Sequence, residues 1–263
     1  NCDLKSLDDK HTVIANRKII ANNMGVTAKN LFTLKQIHSS KVITIEGGTN
    51  SNTIEGDGMV SVERGVSLGV LTADCAPILF AEKKAGVIGV AHAGWRGVFD
   101  SIIENTVKKM AEHGATKNYI MAAIGPCIQK ENYEVGPEFI DRFVRKDPTY
   151  SQFFNIDKNK KIWFDLPGLI LKKLKSAGVK STNNLGQCTF SLSDDFLLLE
   201  SDLLYESRAL KSVLNFEGSD VVLSSGKTES KDEVYIYGED TEKILEIESK
   251  SILACGEIKA ISK

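Results

Sequence analysis

Apolar and polar positions follow two periods along the chain. Helical spacing comes first: Asp8 and Asp9 precede Val13, Ile14, Ile20 and Met24, and Gly25 follows. Acid at the start and glycine at the stop predict a helix. Further on, Val98, Phe99, Ile102, Ile103, Thr106, Val107 and Met110 fall on one face of a second, single helix, entered from the turn Ala93-Gly94-Trp95-Arg96-Gly97. Pro137 opens a third, with Phe139, Ile140 and Phe143 inward. Asp165 and Pro167 start a fourth that runs through Lys175 and stops at Gly178. Strand-like runs lie between these helices. Residues 31–37 and 41–45 flank the polar turn His38-Ser39-Ser40, and residues 50–58 read as a polar loop. Residues 66–71, 77–81 and 86–91 are short apolar runs, and Tyr119 to Ile124 is a strand stopped by Gly125-Pro126.

The last seventy or so residues differ. Phe196 to Leu199 is apolar, Val221 to Leu223 and Val234 to Tyr237 read as strands, and Ser224 to Asp232 is a polar loop. Helices and strands mix without a steady β–α–β alternation, which predicts an α+β fold over a doubly wound sheet.

Composition narrows the function classes. The 263 residues are 42% hydrophobic and 26% charged, enough to bury a core without staples. Formal net charge is -2, from 33 basic and 35 acidic side chains, so nothing calls for a nucleic acid or an anionic membrane as partner. No apolar run reaches the roughly 18 residues of a membrane span. No leader is visible, and the start at Asn1 leads us to expect residues before it. Five cysteines, Cys2, Cys75, Cys127, Cys188 and Cys255, are scattered without a C-x-x-C pair. That usage predicts a reducing, cytoplasmic setting.

Of four histidines, His11 and His113 sit in or beside helix ends and read as surface residues, His113 complementing a helix dipole. His38 and His92 each follow an apolar run, and Cys75 follows another. Three soft donors at strand ends can meet at one edge of a sheet. Two imidazoles and a thiolate suit zinc and leave a fourth position free, as in catalytic sites; copper accepts the same set. Spacing alone favours the plainer alternative of a buried cysteine and two separate histidines. Asp74 beside Cys75 has two readings, a partner for a ligand imidazole or a turn aspartate holding local backbone. Arg96 and the N–H groups of the Ala93–Gly97 turn offer a place for phosphate or carboxylate. Trp95 either stacks on a planar ring or packs, and Cys127 is a site wall, a spare nucleophile or a buried thiol.

Several ordered motifs then carry a resemblance. Leu34-Lys35-Gln36-Ile37-His38-Ser39-Ser40, Gly56-Asp57-Gly58-Met59-Val60, Thr72-Ala73-Asp74-Cys75-Ala76-Pro77, His92-Ala93-Gly94-Trp95-Arg96-Gly97 and Gly125-Pro126-Cys127-Ile128 occur in that order. Tyr133-Glu134-Val135-Gly136 and Asp165-Leu166-Pro167 follow. Together they resemble the YfiH family of laccase-domain proteins, also called multicopper polyphenol oxidases. That family includes the peptidoglycan editing factor and FAMIN-like purine nucleoside phosphorylases. The resemblance covers residues 1–190, with 191–263 a divergent part of the same single domain and the amino end truncated. It implies packed mixed β-sheets flanked by helices. It also implies that His38, Cys75 and His92 form the metal-binding and catalytic trio, and that a purine nucleoside and phosphate are the partners. Activity on adenosine, inosine or methylthioadenosine is implied, with adenosine deamination in some members. The expected aromatic and double-arginine signature after Cys188-Thr189 is begun by Ser193-Asp194-Asp195-Phe196 and replaced from Leu197.

Four histidines are too few for a blue copper plus a trinuclear cluster, which argues against a conventional laccase. Phosphorolysis or deamination of a purine nucleoside leads. A copper-dependent polyphenol oxidase, a peptidoglycan-precursor editing hydrolase, a metal-free Cys75–His92 hydrolase and a non-enzymatic binding module are the alternatives.

Overall fold

The computed structural model describes residues 2–4, 9–49 and 51–191, together with the backbone of three strands at 234–237, 243–247 and 259–262. The sequence readings at 196–199, 221–223 and 224–232 lie outside the described residues. The reading at Val234–Tyr237 is a strand, in a three-stranded antiparallel sheet with Lys243–Ile247 and Lys259–Ser262.

The chain opens with α1 (Lys10–Asn23), whose N-cap Asp9 accepts from the Thr12 N–H. Its inward face carries Val13, Arg17, Ile20 and Ala21, so Ile14 turns outward at 45% exposure. Buried Arg17 avoids a bare charge by donating to the carbonyls of Cys2 and Leu31 and to the Thr33 hydroxyl. β1 (Leu31–Phe32), β2 (Val42–Thr44), β3 (Gly58–Ser61), β4 (Ser67–Leu68), β5 (Ala76–Glu82) and β6 (Val87–Ala93) follow. After them come α2 (Trp95–Phe99), α3 (Ile102–Glu112), β7 (Met121–Ile124), β8 (Glu134–Val135) and α4 (Pro137–Lys146). β9 (Phe154–Ile156), β10 (Ile162–Phe164), α5 (Leu166–Ser176) and β11 (Ser181–Asn184) complete this part of the chain.

Six strands form the central sheet, in the order β11-β7-β5-β6-β3-β2. β2–β3 and β7–β11 are parallel; β3–β6, β5–β6 and β5–β7 are antiparallel. A small sheet β8-β10-β9 stands apart from it. The expected α+β class with mixed sheets and flanking helices is what the chain adopts. Both faces of the central sheet are covered, which explains why β5 reads as a continuous apolar run. Ile78 and Phe80 join one core with Ile102, Ile103, Val107 and Met110 of α3 and Leu169, Ile170 and Leu174 of α5. Leu79 and Val90 face the other way, onto Phe32, Leu34, Ile45, Met59 and Leu68. Phe139, Phe143, Phe154 and Phe164 fill the remaining side of the first core with stacked and edge-on rings.

The structure corrects several expectations. The strand-like runs around His38 are strand only at Leu31–Phe32 and Val42–Thr44; β1 pairs with β4 and β2 with β3, both in parallel. The single helix expected from Val98 to Met110 is two, broken where Ser101 takes a left-handed φ of 78°. At the break the Phe99 carbonyl accepts from the Lys146 ammonium. One apolar face continues across the break, so periodicity could not reveal it. β11 is polar and half exposed, and its strand identity comes from pairing with β7. No described helix is long and apolar enough to cross a membrane.

Candidate metal centre

The site forms where β3 and β5 begin and β6 ends. His92 lies in β6 opposite Pro77, Cys75 immediately precedes β5, and His38 sits in the turn leading to β2. Donor atoms of His38, Cys75 and His92 all lie within 4.8 Å of one another, and among the described residues this is the one group of three or more such side chains. Cys75 Sγ stands 3.9 Å from His38 Nε2. The imidazoles meet edge to face with centroids 4.7 Å apart. His92 is 3% exposed, Cys75 is half-buried and His38 opens to solvent.

Asp57, between two glycines before β3, organises this cluster. Its carboxylate is fully buried and accepts five hydrogen bonds. The N–H groups of Ile37, His38 and Ser39 donate at 3.2, 2.9 and 2.6 Å, the Ser39 hydroxyl at 2.7 Å, and His92 Nδ1 at 2.8 Å. His38 adopts φ 58°, an uncommon conformation for a residue with a side chain. Here it curls three consecutive N–H groups into a concave anion nest. One carboxylate therefore fixes the backbone of one ligand and the ring of another. With Nδ1 donating to Asp57, His92 presents Nε2 to the cluster, the arrangement that orients metal-binding imidazoles elsewhere.

Electrostatics follow the contacts. Burial would raise Asp57, but the hydrogen bonds from His92, Ser39 and Ile37 outweigh it and hold the carboxyl down at about 2. Burial would lower His92, yet its bonds to Asp57 and Cys75 push it up to about 9. His38 is lowered, by burial first and then by the neighbouring His92, with a smaller contribution from Arg96.

Gly94 gives the cluster its room. A Cβ there would lie 2.8 Å from Cys75 Sγ and 3.2 Å from His38 Cδ2. The donors lie within 4.8 Å of one another, wider than the about 3.3–3.8 Å that zinc bonds of roughly 2.0–2.3 Å set between tetrahedral ligand atoms, so the three side chains would draw together around one ion.

The other sequence candidates fall into place around this. Asp74 is exposed and accepts from the Thr189 hydroxyl at 2.7 Å, while its carbonyl holds the Ile128 N–H. It partners neither imidazole; Asp57 does, and G-D-G reads from sequence as a turn. Asp74→Asn should therefore leave metal affinity within about threefold of wild type, measured by competition with a chelating dye, because Asn keeps the acceptor for Thr189. Trp95 packs edge-on against Phe139 and belongs to the aromatic core. Arg96 is exposed and lies 5.2 Å from the Trp95 ring centre. The five-residue α2 is too short to add a helix field of note. Cys127 is fully buried, and burial pushes its thiol up to about 12, so it does not present a ready thiolate to a substrate. His11 is exposed. His113 ends α3 as expected and also bonds through Nε2 to the Thr44 hydroxyl at 2.9 Å.

Fold and cluster together define an α+β protein with a three-donor, metal-type centre where the central strands β5 and β6 begin and end. The chain belongs to the multi-copper polyphenol oxidoreductase laccase family, whose family model matches residues 1–197. It is similar to a purine nucleoside phosphorylase of Rickettsia conorii, 36% identical over 187 residues, covering 69% of this chain and 77% of the relative. An adenosine deaminase from an unknown prokaryotic organism is 36% identical over 144 residues, 52% of this chain and 54% of that protein. The crystal structure of YfiH from Bacillus licheniformis superposes with a TM-score of 0.67 at 25% identity, covering 72% of this chain and 75% of that one. The YfiH-like resemblance read from the motifs and its fold class both stand.

Proposed function

We propose that this chain is a purine nucleoside phosphorylase that splits adenosine, inosine or methylthioadenosine with inorganic phosphate, using zinc held by His38, Cys75 and His92. The observation that carries the reading is the Asp57-oriented His92 beside Cys75 and His38, in a chain similar to proteins named for that activity. Zinc supplies a Lewis acid there; copper is the second metal the donor set accepts. In phosphorolysis a phosphate oxygen bonds to the ribose anomeric carbon while the glycosidic bond breaks. The purine leaves with the electron pair and takes up a proton.

Residues of the chain divide the remaining work. Asp57 keeps the His92 tautomer and ring angle fixed, so that the cluster needs no rearrangement when charge develops. Arg96, exposed beside Trp95, offers a guanidinium for phosphate. His38, open to solvent and lowered below its ordinary value, is neutral at pH 7 and available as donor to metal or substrate. The thiols of Cys75, Cys127 and Cys188, none of them in a disulfide, support a reducing, cytoplasmic setting.

Purified protein of measured metal content, incubated with adenosine, should release adenine and ribose 1-phosphate only when phosphate is present. Inosine without base release would assign it instead to deamination, the activity named for one relative. No nucleoside product, alongside copper-dependent oxygen uptake with phenols, would overturn the reading.

A further inference from the structure

Away from the metal centre, two cysteines that the proposed chemistry leaves unused face each other. The Cys127 N–H donates to the Gln187 carbonyl at 3.1 Å and the Thr189 N–H donates to the Cys127 carbonyl at 3.3 Å. These two bonds bracket Cys188 and set it directly opposite Cys127, as partner residues stand in neighbouring parallel strands. Side chains so placed leave on the same side of the backbone. Gln129 ties the two sulfurs together: its backbone N–H reaches Cys188 Sγ at 3.4 Å, and its side-chain amide reaches Cys127 Sγ at 3.4 Å. Neighbouring strands run about 4.8 Å apart, inside the roughly 4.4–6.8 Å between Cα atoms that a disulfide spans.

We infer that Cys127 and Cys188 form a peroxide-responsive disulfide site. The two thiols are not equivalent. Cys127 is fully buried, so a small oxidant meets half-buried Cys188 first. Burial works against the Cys188 thiolate, but donors on Gln129, Asn132 and Ser191 outweigh it and lower its pKa. Asn132 Nδ2 lies 3.2 Å from its sulfur. The Cys188 thiolate attacks a peroxide oxygen, the O–O bond breaks, and a sulfenic acid forms with release of hydroxide, which takes the thiol proton as water. The Cys127 sulfur then attacks the Cys188 sulfur. The S–O bond breaks, and the departing hydroxide leaves as a second water with the Cys127 proton. Two thiols and one peroxide give one disulfide and two waters.

The consequence reaches the metal centre through one contact. Thr189, next to Cys188, holds Asp74, next to Cys75, through its hydroxyl at 2.7 Å. Closing the disulfide anchors the 187–191 segment that holds Asp74. The inference does not rest on the nucleoside reading.

The test is peptide mapping of the full chain after brief exposure to dilute hydrogen peroxide, followed by alkylation in denaturant and trypsin. Peptide 118–130 should appear joined to peptide 181–208, lighter than their sum by two hydrogens and separated again by dithiothreitol. Cys127→Ser should leave Cys188 as a sulfenic acid that dimedone traps. Three outcomes would overturn the inference: Cys188 carried to sulfinic or sulfonic acid while Cys127 still alkylates; Cys188 still alkylating fully after the peroxide dose; or no dimedone adduct in Cys127→Ser.

Discussion

Asp57→Ala should cost about 3–5 kcal/mol of stability, because it strips the partner from a buried charged group. It should also weaken metal binding by 10–100-fold, the usual consequence of removing the residue that orients a ligand imidazole. Two independent supports fail at once. His92 loses the acceptor on Nδ1, and three backbone N–H groups of the His38 turn lose theirs. Without that anion, a positive φ at His38 has nothing to hold it. Asp57→Asn should not rescue the site. One carboxylate oxygen accepts three bonds and the other two, so either amide orientation points an NH2 at donors. The checks are a denaturant melt and a chelator competition. A variant that holds its midpoint within 1 kcal/mol, the order of one ordinary hydrogen bond, would remove Asp57 from the centre of the argument.

The same pair sets a pH dependence in the metal-free protein. Asp57 lies at about 2, below its ordinary 3.8. Its contribution to stability is present above the ordinary value and is lost as pH falls toward 2. His92 lies at about 9, above its ordinary 6.5. Its contribution is full below the ordinary value and is lost as pH rises through 9. Chelator-treated wild type should therefore lose stability on both limbs, and chelator-treated Asp57→Ala should show a flatter denaturation profile across pH.

Asp57 also marks the boundary of what residue patterns convey. β5 and β6 were legible because apolar runs with both faces buried look like little else. The trio was legible once ordered motifs surrounded it, although separations of 37 and 17 residues match no compact metal motif. Asp57 stands inside one of those motifs, and the pattern does not single it out, because a carboxylate between two glycines resembles a surface turn. Its burial arises only when the turn before β2 folds over the start of β3. Asp74 misled for the opposite reason: it adjoins Cys75 and an apolar strand, yet points outward to Thr189. The break at Ser101 and the polar strand β11 likewise depend on partners far away in sequence.

Gly94→Ala should reduce metal affinity at least tenfold while leaving the fold intact. The backbone at Gly94 has φ -68° and ψ 162°, which alanine adopts without strain, so the effect is confined to space. A methyl 2.8 Å from Cys75 Sγ cannot remain there, and one 3.2 Å from His38 Cδ2 leaves that ring little room to yield. The sulfur must swing away, and a tetrahedral metal tolerates little error in ligand position. Zinc content after dialysis and the rate of Cys75 alkylation report the two halves of this expectation: metal falls and the displaced thiol reacts faster. Undiminished zinc would mean that the cluster relaxes around the methyl and that Gly94 serves the turn into α2 and not the donors. A loss of metal with an unchanged melting curve in the chelated state would instead separate the making of the fold, which the sheet and its two cores control, from the making of the site, which depends on a glycine and a buried carboxylate.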